Sequence, residues 1–279
     1  MNPFHSLLRA ALFVVLYLGC LLLLGVTMVF ILGPLHLPEQ DFNLILTGVA
    51  GLLSVLAATG LMVALYERQS LAFVGLSLAQ GWRRELGEGI LAGWLLIGLA
   101  AATMIFSSQV HIRAAGDFRA GRALFTAAML LLAACAEELL FRGYGFQRLV
   151  AAVGPVGAVA ALSALFALAH LKNTAATPVG LANTVLVGIL LALAYLRTLR
   201  LWLPIGLHWG WNLAEASLGF PVSGITIKGM PLVAEPQGHP LITGGAYGPE
   251  ASLVATLVIL AGTAWLLRRK QPAAEGSHA

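Results

Sequence analysis

The stretch LLLAACAEELLFRGYGF, residues 130–146, sets Glu137, Glu138 and Arg142 in an otherwise uncharged, mostly apolar run. Glu138 and Arg142 are spaced i, i+4 with the acid first, the favourable order for a helical ion pair. Glu137 points about 100° away on the same helix and has no partner there. A desolvated carboxyl without a counter-charge is the profile of a general base or acid. The competing reading is that all three charges form a packing network between helices.

Two later segments repeat the i, i+4 pattern. In ALFALAH, Phe166 and His170 share a face, so the ring can pack on the imidazole. In HWGWN, His208 and Asn212 share a face, and both can donate towards one point. Trp202, Trp209 and Trp211 flank that motif and read as interfacial anchors or pocket walls. At 1.5 Å per residue, Glu137, His170 and His208 lie roughly 18, 22 and 11 Å above the cytoplasmic ends of their helices. One intramembrane site can collect them. A carboxylate, two histidines and an asparagine can activate a water and stabilise an oxyanion.

Other hydrolytic chemistries fit less well. Asp41 and Asp117, the two aspartates, both fall in loops, which excludes an intramembrane aspartyl dyad. H-E-x-x-H is absent. Ser163 lies seven residues before His170 but lacks a glycine-flanked nucleophile turn, and reads as a packing residue. One glutamate and two histidines could also hold zinc, and intramembrane Glu and His also build proton relays. Both alternatives stay open on the residues alone, as does a non-catalytic scaffold or immunity protein.

The elements that must position these groups are membrane helices. Of 279 residues, 59% are hydrophobic and 10% charged, against about 25% charged in soluble domains. The expected fold class is therefore all-α, a polytopic transmembrane bundle forming a single integral membrane domain over 1–279. About eight spans are expected, near 8–33, 43–66, 89–108, 123–149, 155–171, 178–197, 201–219 and 251–268. VGPVG is read as the break between the fourth and fifth. Residues 67–88 fit a surface amphipathic helix or a plain loop. Residues 220–250 read as a polar loop, with Lys228, Glu235, His239 and Glu250 solvated. Glu215 is one further intramembrane acid that either faces the site or makes a polar contact near the outer interface. The tail 271–279 reads as disordered. Cys20 and Cys135 lie in apolar runs and read as inert core thiols.

Lys and Arg placement sets orientation. With both termini in the cytoplasm, ten basic residues fall inside and five outside, Arg142 staying within the membrane; Arg113, Arg119 and Arg122 are the main outer exceptions. The +4 net charge is scattered at helix ends, so the lipid bilayer is the expected partner and nucleic acid is not.

The ordered motifs EELLFR (137–142), FALAH (166–170) and HWGWN (208–212) resemble those of the CPBP family, the CAAX proteases and bacteriocin-processing enzymes, also called Abi. The resemblance covers about 123–219. GFPVSG and LITGGAYGPEAS are similar to loops of bacterial members, which implies a bacterial inner membrane. The resemblance implies an intramembrane glutamic endopeptidase acting on a peptide or protein substrate reached through the membrane, without metal or cofactor. It implies that Glu137 and His170 activate water, that Glu138 and Arg142 hold the site together, and that His208 and Asn212 form the oxyanion hole.

Overall fold

The computed structural model describes residues 2–268. Arg269 and Lys270, counted for orientation above, and the tail 271–279 lie outside the described residues. Among the described residues the fold is an all-α membrane bundle of eight long helices: α1 Pro3–Leu32, α2 Glu39–Glu67, α3 Trp82–Phe106, α4 Ala120–Arg142, α5 Tyr144–Ala169, α6 Pro178–Thr198, α7 Trp202–Leu218 and α8 Leu253–Arg268. Five stretches are long and apolar enough to cross a membrane, among them residues 120–169, which hold two of these helices. Phe30, Phe106, Val156 and Leu257 are largely uncovered by protein. Large outward-facing apolar side chains suit a bilayer, where lipid covers them.

The helix starts follow local rules. The Asn2 side chain accepts from the Phe4 N–H ahead of Pro3, and Thr177 Oγ1 accepts from the Gly180 N–H ahead of Pro178. The charged helix ends earlier than expected, at Gly143, and the expected break in VGPVG is present as well. A Cβ at Gly143 would lie 2.2 Å from the Leu139 carbonyl oxygen, so glycine alone permits this turn. It ends α4 on Arg142. At Gly154, with φ 78° and ψ 167°, the backbone leaves helical geometry ahead of Pro155, so α5 is two helical pieces meeting at a kink in VGPVG. Between α2 and α3 residues 68–81 form a loop with one 3-10 turn, Leu71–Val74, while 82–88 are the first turns of α3.

Two apolar cores run through the bundle. Phe13, Val55, Met62, Leu139, Phe146 and Tyr195 build one; Ile97, Leu191, Trp211, Val258 and Ile259 build the other. α6 and α7 contribute to both. The closest helix pair is α3 with α7. Cβ atoms at Gly89 and Gly93 would lie 2.4 Å from the Leu203 and Leu207 carbonyl oxygens. At Gly206 and Gly210 they would lie 2.2 and 2.5 Å from those of Leu86 and Ile90. Two glycine pairs at four-residue spacing thus interlock, as small residues do between membrane helices.

The 220–250 segment is more ordered than a solvated connector. Its strand β2, Leu232–Pro236, pairs antiparallel with β1, Val110–Ala114, from Val110 opposite Pro236 to Ala114 opposite Leu232. Arg113 and Arg122 are tied into this cap. Arg113 pairs with Glu235; Arg122 pairs with Asp41 at 2.7 Å and donates to the Lys228 carbonyl. At the other end Glu67 accepts from Arg9, Tyr144 and Arg148, joining α1, α2 and α5.

Candidate active site

Glu138 anchors the site. It has no exposed surface, and Arg142 one turn later is equally enclosed. Arg142 Nη1 donates to Glu138 Oε1 at 3.0 Å, and Nη2 donates to the Gly188 carbonyl of α6 at 3.1 Å. The guanidinium carbon lies 4.7 Å from the Phe166 ring centroid. Burying two charges costs several kcal/mol per ion, and only partners this well aligned can offset it. Gly188 gives α6 its approach, since a Cβ there would meet Ser163 at 2.9 Å. Ser163 is buried in that contact.

Glu138 Oε1 also accepts from His208 Nδ1 at 2.8 Å. A carboxylate can only accept, so Nδ1 carries the hydrogen and Nε2 faces outward. His208 Nε2 lies 3.8 Å from Glu137 Oε2. That exceeds hydrogen-bond length but leaves both atoms within reach of one water. Glu137 is half-buried. Adjacent glutamates on α4 thus hold different places: Glu138 in the closed ion pair, Glu137 open beside His208.

Arg142→Met removes the guanidinium and leaves Glu138 buried. Loss of one partner of a buried pair costs about 3–5 kcal/mol. The variant is expected to unfold at a markedly lower temperature in detergent, followed by helical circular dichroism. An unchanged midpoint would show that the pair contributes nothing net to the fold.

His170 caps the C-terminus of α5. Its Nδ1 lies 2.7 Å from the Phe166 carbonyl, which fixes the proton on Nδ1 of the neutral ring and leaves Nε2 as an acceptor. The Phe166 ring stands 4.6 Å from the His170 ring and 6.2 Å from that of His208. It therefore packs against the guanidinium and both imidazoles.

His170, His208 and Asn212 line one cavity of about 30 Å³, closed also by Asn183, Ser223 and Glu250. That space holds about two waters. Glu137 is not in this lining and meets the site through His208. Of the two imidazoles at the site, His208 is the one whose ring nitrogen stands 3.8 Å from the Glu137 carboxylate. Glu215 is fully buried on α7 and is not in the lining either. Trp211 is a wall of the cavity. Trp202 and Trp209 instead fasten α7 by donating to the carbonyls of Ser77 and Ala127.

Sequence reasoning missed Asn183, Ser223 and Glu250. Glu250, read as a solvated residue, lines the cavity because the 220–250 loop folds back over it. The one available signal was the glycine-rich text around it, GGAYGPEAS. A second cavity, about 250 Å³ and apolar, lies between α3, α6, α7 and α8 and shares Leu207 with the first. Among the described residues, no three His, Cys, Asp or Glu side chains converge as metal ligands. Cys20 and Cys135 are free.

The model of the family described as type II CAAX prenyl endopeptidase Rce1-like matches residues 119–214 of this chain, a stretch running from the start of α4 to within four residues of the end of α7. No curated protein and no solved structure matches the chain.

Proposed function

We propose, from the premise that this chain belongs to the Rce1-like CAAX endopeptidase family through residues 119–214, that it is an intramembrane glutamic endopeptidase. The observation that carries this reading is convergence. Glu137 stands beside His208, which Glu138 and Arg142 hold in place, and His170 and Asn212 face the same small polar cavity.

Glu137 takes a proton from a water held with help from the imidazoles. The hydroxide attacks the scissile carbonyl, and no acyl-enzyme forms. His208 and Asn212 donate to the developing oxyanion, with His170 oriented by its bond to the Phe166 carbonyl. The substrate is a membrane-associated peptide with a lipidated or apolar C-terminal tail. The apolar cavity sharing Leu207 supports this class, since an apolar group held there would lie beside the polar one. Both termini lie in the cytoplasm of a bacterial inner membrane, as the basic-residue count favours.

The test is cleavage in liposomes of quenched peptides with prenylated or plain apolar C-termini, with and without chelator. Cleavage that persists in chelator supports the glutamic reading. Loss in chelator with rescue by zinc would replace it with a metalloprotease. Asn212→Ala is expected to lower turnover about 10²–10³-fold, the effect of losing one oxyanion donor, with little change in KM. A variant that raises KM alone would place Asn212 in substrate binding.

A further inference from the structure

Glu250 is the acid that the foregoing mechanism leaves unused. It sits in the 3-10 turn Pro249–Ala251, just before α8. One carboxylate oxygen, Oε2, accepts from both the Ser223 N–H, at 2.7 Å, and Ser223 Oγ, at 2.8 Å. The backbone is held as firmly. Asn183 Nδ2, on buried α6, donates to the carbonyls of Glu250 and Ser252 at 2.7 and 2.8 Å, and Asn183 Oδ1 accepts from Thr256 on α8. Gly248, at φ 103°, lets the turn press on residue 221: a Cβ there would lie 2.3 Å from the Pro221 carbonyl oxygen. Ser223 itself stands at φ 47°, a conformation that costs a non-glycine residue energy and needs its surroundings to hold it. All this fixes a single carboxyl on the wall of the cavity that His170, His208 and Asn212 also line. Its Oε1 makes no hydrogen bond among the described residues.

Amide hydrolysis moves two protons. One leaves the water; another must reach the departing nitrogen, because an amide anion is too basic to leave. Glu137 can take the first but lies outside the cavity lining. The geometry points to Glu250 as the general acid that protonates the leaving amine, a second catalytic carboxyl supplied by the 220–250 loop. This rests on the endopeptidase reading above. In the step, the C–N bond of the tetrahedral intermediate breaks, its electron pair stays on nitrogen, and nitrogen takes the proton of Glu250. Glu250 is left as carboxylate. The proton Glu137 took from water then passes to Glu250 through His208 and the cavity waters, which resets both acids without any other reactant. Burial pushes the Glu250 carboxyl above the usual carboxylate range, against the two Ser223 hydrogen bonds and the nearby His170, which is the direction a proton donor needs.

The test compares leaving groups. A prenylated CAAX-type peptide is made with the scissile amide and, separately, with a thioester at that bond. A thiolate, with a pKa of about 8.5, leaves without protonation. Glu250→Gln keeps an oxygen for Ser223 but has no proton to give. It is expected to slow the amide about 10²-fold or more, the usual contribution of a general acid, and the thioester less than about threefold. Thioester turnover in the same variant also reports that the site is folded. Glu137→Gln should slow both substrates. Equal slowing of both by Glu250→Gln, or an undiminished amide rate, would overturn the acid role while leaving the endopeptidase standing. Failure of the wild type on both substrates would remove the endopeptidase reading, and the role of Glu250 with it.

Discussion

Glu137→Gln is expected to give a folded protein with turnover reduced about 10³–10⁴-fold, at the upper end of what a positioned general base contributes. The structure separates this change from a folding defect. Glu137 lies outside the closed set of Glu138, Arg142 and His208, whose hydrogen bonds do not involve it. It is half-buried, and glutamine matches its volume. The amide can still hydrogen-bond a water beside His208 Nε2 but cannot take its proton. The check is liposome turnover of a CAAX-type peptide together with thermal unfolding of the same preparation. Lost turnover with an unchanged midpoint is the expected pair of results. Retained turnover would move the base elsewhere and sink the mechanism. A collapsed midpoint would mean that Glu137 holds helices together.

Gly93→Val should be as damaging, for an unrelated reason. The Cβ position at Gly93 would already lie 2.4 Å from the Leu207 carbonyl oxygen and 2.5 Å from the Trp211 nitrogen. These are backbone atoms of α7, on either side of His208 and one residue short of Asn212. No side chain can rotate away to relieve them. Valine must push α3 from α7, destabilising by more than about 3 kcal/mol, beyond the ordinary range for overpacking, and carrying the catalytic helix with it. Gly98→Val is the control, since nothing lies within 4 Å of its Cβ position on the same helix. The measurement is yield of folded protein and midpoint in detergent. The pair of variants should differ sharply; equal midpoints would show that the interlock tolerates a gap.

The helices and the paired motifs were legible because their information is local. Glu138 with Arg142 and Phe166 with His170 are each one turn apart, and apolar runs of span length mark the bilayer. Three things were less accessible. The turn at Gly143 depends on the Leu139 carbonyl lying where a Cβ would go, and VGPVG, with its proline, carried the stronger punctuation. The glycines of GILAG and GLHWG become a contact only when α3 and α7 meet. Glu250 owes its place to partners at 183, 223 and 256, far along the chain, and nothing in a loop sequence says which carboxyl will be folded inwards. The placement of Glu137 against His208, from α7, was hidden for the same reason: helical spacing says what shares a face, not which face meets it.

The clamp between Asn183 and residues 250–256 bears on biosynthesis. One wall of the polar cavity belongs to a part of the chain made after α7, and Thr256 of α8 completes the hydrogen bonds that secure it. A nascent chain that has inserted as far as α7 holds Glu137, His170, His208 and Asn212 but has no residue 250 to close over them. Assembly of a complete water-holding site therefore waits on insertion of α8, and a ribosome-bound intermediate short of it spends its time in the membrane with this cavity unwalled.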